Sequence, residues 1–393
     1  MPKRPVYFDH AATTAVRPEV LEAMLPFLGP EAFGNPSSAH RFGRAARAGI
    51  ETAKRAIAES LGAEPNQVIF TSGGTEADNL AVVGAALAAR DRGDPFRAAV
   101  SAVEHKAVLG AAHFVARLGG EEILLPVNVS GVVETAALEE ALVRGVGVGV
   151  VSVMWVNNEV GTLQPVAQLA ARCHDAGVTF HSDAVQAFGK IPVSLRDSRV
   201  SLLSISGHKI GAPKGIGALL VRDRHAVEAI IHGGGQQFGI RPGTENVPGI
   251  VGLGRAAELA AAEQAELGRR LAALRDELER RLLAVVPDAV VNAWQAERAP
   301  HVSNVSIPGT DSEAMLMHLD LAGVACSSGS ACSTGEVEPS HVLTAMGVPR
   351  ELGVAALRFS LGRDNTAADV DALIGALPKI VEKVRALSAV LHR

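Results

Sequence analysis

The 393-residue sequence carries 37 Lys and Arg against 42 Asp and Glu, a net charge of −5, with 48% hydrophobic residues. It is long enough for more than one average domain and apolar enough for a sizeable core, and with no basic block it offers no electrostatic footprint for nucleic acid. Three cysteines (Cys173, Cys326 and Cys332) without a C-x-x-C pair make a disulfide framework or a structural metal site unexpected, and Lys3 and Arg4 precede no apolar signal segment, so a soluble cytoplasmic protein without a membrane span is expected.

In chain order, short Val- and Ile-rich runs alternate with longer helical patterns from about residue 50 to about residue 225, the rhythm of a parallel sheet wound with helices. Strands are predicted at Val68–Thr71, Ala98–Ala102, Glu122–Leu125, Gly149–Met154, Thr179–His181, Leu202–Ser206 and Gly217–Val221. Several turn polar directly after their last apolar residue. That places Thr71–Thr75, Asn157–Glu159, Asp183 and His208–Lys209 at strand C-terminal ends, where open α/β sheets bind ligands. From Gly249 to Val286, leucines from Leu259 to Leu282 recur at mixed three- and four-residue spacing opposite a charged side. This predicts a long helix able to bridge two domains. Beyond Pro287 the pattern is that of a smaller α+β unit, with a strand at Val302–Ile307, a helix at Ser312–Leu321, a Gly/Ser-rich loop at Ser327–Gly335 and a closing helix from Ala367.

Four segments carry candidate chemistry. Thr71-Ser72-Gly73-Gly74-Thr75-Glu76 follows a strand and opens a helix predicted from about Asp78 to Ala89, a geometry that offers unpaired N–H groups and a helix dipole to an anion. An ordinary capped turn competes with that reading at about even weight. In Ser204-Ile205-Ser206-Gly207-His208-Lys209, a lysine among small residues at a strand end is open to desolvation, which lowers its pKa and makes it nucleophilic toward an aldehyde; taken alone, a surface lysine is the simpler explanation. Asp183, after a buried strand, suits a pyridine nitrogen partner but also a helix cap. Cys332, in the small, polar Ser327–Gly335 loop, is an accessible thiol able to reach a site and leave it, whereas Cys173 falls on an apolar helical face with Val166, Leu169 and Ala170, and Cys326 ends an apolar run and is expected to be buried.

Together these segments resemble the cysteine desulfurases, class V members of the aminotransferase superfamily. The likeness runs through Tyr7–Thr14, Gly34–Ser38, Thr71–Asn79, Glu104–Lys106, Asn157–Gly161, Asp183–Gln186, Ser206–Lys209, Arg241–Thr244, Ser327–Cys332 and Arg358–Gly362. It implies a fold-type I α/β architecture, with a large, mainly parallel cofactor-binding domain over residues 15–260 and a smaller α+β domain over 1–14 and 261–393. It also implies pyridoxal 5′-phosphate bound covalently by Lys209, Asp183 on its ring nitrogen, His105 stacked on the ring and assisting proton transfers, and Asn158 and Gln186 at the ring substituents. Gly74, Thr75, Ser206 and His208 would hold the phosphate, with Thr244 reaching it from the second subunit of a homodimer. Arg358, with Asn35, would bind the carboxylate of L-cysteine, and Cys332 would take the sulfur as a persulfide for an acceptor such as an iron–sulfur scaffold. The Ser-Gly-Ser-Ala-Cys loop resembles that of the group with a long cysteine loop. Rival readings are an aminotransferase or a selenocysteine lyase of the same fold, or a catalytically silent binding module.

Overall fold

The computed structural model describes residues 5–143, 147–328 and 338–391. The chain enters through the short strand β1 (Val6–Tyr7) and then builds a seven-stranded sheet from β2 (Val68–Thr71), β3 (Arg97–Ser101), β4 (Glu121–Leu125), β5 (Val150–Ser152), β6 (Thr179–Asp183), β7 (Leu202–Ser206) and β8 (Gly217–Val221). Their order is β2-β8-β7-β6-β5-β3-β4. The seven predicted strands are all present, with ends shifted by a residue or two and β5 cut to three residues. β8 runs antiparallel to both β7 and β2, so the sheet is mainly parallel, as the resemblance implies. A run such as Gly217–Val221, buried throughout, looks the same in either direction.

Apolar side chains alternate to the two faces of this sheet, as a pleat requires. Phe70, Ala99, Val151, Phe180, Leu203 and Leu220 join one buried cluster with the Arg41–Ser60 and Val166–Asp175 helices. Their sequence neighbours Ile69, Ala98, Val100, Val150, Leu202, Leu219 and Val221 join another with the Gly74–Asp91 and Lys106–Arg117 helices. The result is a sheet covered by helices on both faces.

A helix spanning Val247–Val285, capped by the Asn246 side chain on Gly249 N–H at 3.2 Å, leaves this layer. Its first half buries Ile250, Leu253, Ala256 and Ala257 against the large cluster, and its second half buries Leu271, Leu278 and Leu282 in a separate one. That second cluster surrounds β9 (Val290–Val291), β10 (Val302–Ser306) and β12 (Ala356–Ser360), which form a sheet in the order β12-β10-β9. The predicted Ser312–Leu321 helix and the closing helix from Ala367 cover it. β11 (Val324–Ala325) pairs in parallel with β1 as a separate two-stranded sheet, and an isolated bridge from Asp9 to Ser360 ties the N-terminal segment to β12. Among the described residues, no helix is long and apolar enough to cross a membrane.

Candidate active site

The Gly74–Asp91 helix begins at Gly74, four residues earlier than its apolar periodicity suggests, because a first turn made of Gly74, Thr75 and Glu76 needs no apolar side chain to be helical. Gly74 and Thr75 therefore supply first-turn N–H groups at the C-terminal edge of the sheet. The close approach that brings them there depends on Gly217 in β8, where a Cβ would lie 2.7 Å from the Gly73 carbonyl carbon and 2.7 Å from Ile205 O. Beside this turn a cavity of about 300 Å³ collects ten of the predicted residues. Gly74, Thr75, Ser206 and His208 form one end, Asp183 lies at the buried floor, His105, Asn158 and Gln186 line the walls, and Lys209 and Arg358 complete it.

Each side chain is held by a definable contact. Lys209 ends the single turn Gly207–Lys209 after β7, and its Nζ donates to the main-chain oxygens of Ala11 at 2.6 Å and Ala12 at 2.8 Å. Burial, with the Arg358 cation nearby, pulls its pKa down to about 8. Asp183 is the last residue of β6; its Oδ1 accepts from Val185 N–H at 2.8 Å, yet burial raises the carboxyl above its ordinary range. His105 caps the Lys106–Arg117 helix, with Nδ1 accepting from Ala107 N–H at 3.1 Å, so the neutral ring carries its proton on Nε2. Burial depresses its pKa, partly countered by the Asp183 carboxylate. Gln186 donates to Ala11 O at 2.8 Å and faces His301 Nε2 at 3.3 Å. Arg358 in β12 donates to Asn158 O at 2.9 Å and to Asp9 Oδ1 at 2.8 Å, leaving its buried Nε without a partner.

Two predicted residues lie apart from the cavity. Asn35 is exposed, its Oδ1 taken by Ser37 N–H at 2.9 Å, and Thr244 is exposed on the segment between the Gln236–Gly239 turn and the long helix. Cys332 lies outside the described residues, which stop at Ser328 and resume at Glu338. The other cysteines are tuned away from thiolate chemistry: burial pushes both Cys173, on its apolar helix face as expected, and Cys326 up to about 12. Cys326 is half-buried by exposed area, less than its apolar run suggested.

The cavity also uses groups that the motifs did not single out. Asp9 fixes Arg358, and the main-chain oxygens of Ala11 and Ala12 hold the lysine. Asp78 lines the floor at 1% exposure, with Oδ1 lacking a hydrogen-bond partner and 3.7 Å from His181 Nε2. His181 is itself suspended between Ser152 Oγ at 2.8 Å and Ser204 Oγ at 2.9 Å. Burial, then repulsion from Asp183, raises Asp78 well above a normal carboxyl, and burial raises Glu104 likewise. A signal for Asp78 was present: an acid flanked by Ala77, Leu80 and Ala81 on the inward stripe of a helix is out of place unless it is used. Chemically, the cavity combines an anion cradle, a lysine with depressed pKa, a buried carboxyl and a free guanidinium N–H.

The family described as Aminotransferase class-V matches residues 6–373 of this chain. A cysteine desulfurase IscS of Dictyoglomus turgidum is 45% identical over 386 residues, covering 98% of this chain and 97% of that protein. A cysteine desulfurase of Cereibacter sphaeroides is 48% identical over 387 residues, with 98% and 97% covered. Among solved structures, a NifS-like protein superposes with a TM-score of 0.88 at 36% identity, covering 96% of this chain and 100% of that one. DndA from Streptomyces lividans superposes with a TM-score of 0.74 at 39% identity, covering 90% and 99%.

Proposed function

Since the chain belongs to the cysteine desulfurases of the class-V aminotransferase family, we propose that it holds pyridoxal 5′-phosphate on Lys209, converts L-cysteine to L-alanine and collects the sulfur on Cys332. Enzymes of this family depend on that cofactor, and the cavity fits it on its own terms. The first-turn N–H groups of Gly74 and Thr75 with the Ser206 hydroxyl suit a phosphate, and the turn is closely packed there, since a Cβ on Gly74 would stand 3.0 Å from Val185 Cγ2. At the floor Asp183 suits a protonated ring nitrogen, and Lys209 suits an aldehyde. When bound, the cofactor supplies an electron sink for charge developing at the substrate α-carbon.

The chain's own residues supply the rest. Arg358, whose Nε has no partner, is the group for the substrate carboxylate, with Asn158 O and Asp9 fixing its plane. Lys209, with its pKa near 8, is the base that removes the α-proton and returns it, while His105 carries a proton on Nε2 beside it. The Cys332 thiolate attacks the substrate sulfur: an S–S bond forms as the C–S bond breaks, and the carbon skeleton takes up a proton and leaves as alanine. The persulfide then serves an acceptor protein for iron–sulfur or other thio-cofactor assembly. Asn35 is assigned to the substrate carboxylate with Arg358, and Thr244 to the phosphate of the partner subunit in a homodimer; the exposure of Leu25, Leu28 and Phe33 at 54%, 62% and 65% is the apolar surface that such an association would cover.

The observation that carries the proposal is the meeting of Lys209, Asp183, His105 and the Gly74–Thr75 turn in one cavity. It is tested by borohydride reduction of the cofactor-loaded protein followed by peptide mass mapping, with L-cysteine turnover to alanine measured in parallel. A cofactor adduct on Lys209 and alanine lost in Lys209→Ala are expected. An adduct elsewhere would overturn the role of Lys209, and dependence of turnover on an added keto acid would replace the proposal with an aminotransferase.

A further inference from the structure

The turn that offers its N–H groups to an anion also carries an acid beside the cavity. Glu76 follows Thr75 in the first helical turn with its side chain 13% exposed, where a free carboxylate would repel any phosphate bound by the same turn. Its charge is engaged instead. Oε2 accepts from Ser72 N–H at 2.7 Å, and Arg241 reaches in with Nε on Oε1 at 2.6 Å and a terminal nitrogen on Oε2 at 3.1 Å. Arg241 comes from the segment that also carries Thr244, so this forked pair joins the turn before the helix to a segment 165 residues away in sequence. A bidentate pair of this kind is geometrically specific and, with both partners largely shielded from water, resists screening.

We propose that Arg241 is a positioning residue for the cofactor phosphate: it cancels the charge of Glu76 beside the cradle and locks the Ser72–Glu76 turn that forms it. This inference rests on the reading of the cavity as the cofactor site. Arg241 need not touch the phosphate; it acts through Glu76. Two roles are separable by sign. If charge cancellation matters, removing Arg241 alone is harmful because it leaves a bare carboxylate, whereas removing the charge of Glu76 as well relieves the harm. If the pair is only a brace, either substitution loosens the turn and the two together do no better.

The experiment measures equilibrium binding of pyridoxal phosphate to the apo-protein by fluorescence, with inorganic phosphate as a competing probe, for the wild type, Arg241→Met, Glu76→Gln and the double variant. Arg241→Met is expected to weaken both ligands by roughly tenfold or more, Glu76→Gln to leave them within about twofold or tighten them, and the double variant to recover most of the loss. Equal weakening by both single variants with no recovery in the double would overturn the proposal. Arg241→Lys, which keeps the charge without the fork, covers the case in which Arg241→Met does not fold: phosphate affinity within about threefold of wild type supports charge cancellation, and a loss of tenfold or more contradicts it. Wild-type apo-protein that binds neither ligand would sink the cavity reading itself, whereas wild-type binding with the wrong pattern among the variants would sink only the role of Arg241.

Discussion

At Lys209 the amine rests on two main-chain oxygens, and burial together with the Arg358 cation brings its pKa to about 8. The amine reacts with an aldehyde only when neutral, so the rate of cofactor incorporation into apo-protein should rise through the neighbourhood of pH 8 and level above it, rather than climb toward the ordinary lysine value of about 10.4. Arg358→Met removes a charge that lowers this pKa and frees Asp9, which raises it, so the same rate profile should move to higher pH. Asp78 gives a prediction of opposite character. Its folded-state pKa lies above its unfolded one, so folding takes up a proton and stability is lost as pH rises from the unfolded value through the folded value. Asp78→Asn apo-protein should therefore melt above wild type near neutral pH, with the gap closing below about pH 4; thermal melts across that range decide it. Lys209 and Asp183 were legible as candidates because each stands in a short polar segment at a strand end, whereas His105 came only with the family resemblance. Asp9, Asp78 and His181 act through partners far away in the chain, and single-residue reasoning has no access to those pairings.

At the scale of elements, the strands and the long helix could be read because hydrophobic runs and leucine spacing report burial directly, and the Ser312–Leu321 and Ala367 helix starts match the pattern. What the pattern misses is what carries no apolar side chain. The first turn of the Gly74–Asp91 helix is polar and small, so the apolar pattern places its start four residues late, although that turn is the one we propose for the phosphate. Direction in the sheet is likewise invisible in a strand buried on both faces, so the pattern does not say which strand of a mainly parallel sheet is the reversed one; it is β8. Yet β8 is what sets the cradle: Gly217 allows the Gly73 main chain to approach within a distance that no Cβ permits. Gly217→Val should push the Gly73–Gly74 turn away and lower cofactor affinity by at least about tenfold, as measured by apo-protein titration, while Gly215→Ala, where a Cβ would meet open space but the φ is +82°, should cost only backbone strain of about 1 kcal/mol and leave affinity unchanged.

Across the whole molecule, the Val247–Val285 helix ties two buried clusters together, and we propose that the division near residue 260 separates two domains because Ala260 packs in the first cluster and Leu271 in the second. Leu271→Ala should destabilise the second unit by about 3 kcal/mol and split a single thermal transition into two, seen by calorimetry. The change in pattern after the long helix is the sequence sign of such a two-part plan; Thr244 enters through the family resemblance alone, because within a single chain it is exposed and away from the cavity. The central claim concerns sulfur, and one measurement reaches it most directly: the cofactor-loaded protein is incubated with L-cysteine and a thiol reductant, and alanine and sulfide are quantified for wild type and Cys332→Ala. Equal amounts of alanine and sulfide from the wild type, both lost in Cys332→Ala with the cofactor still bound, are the predicted result. Undiminished production of both by Cys332→Ala would contradict the account, since Cys173 and Cys326, each held near 12 by burial, are not thiolates able to take its place.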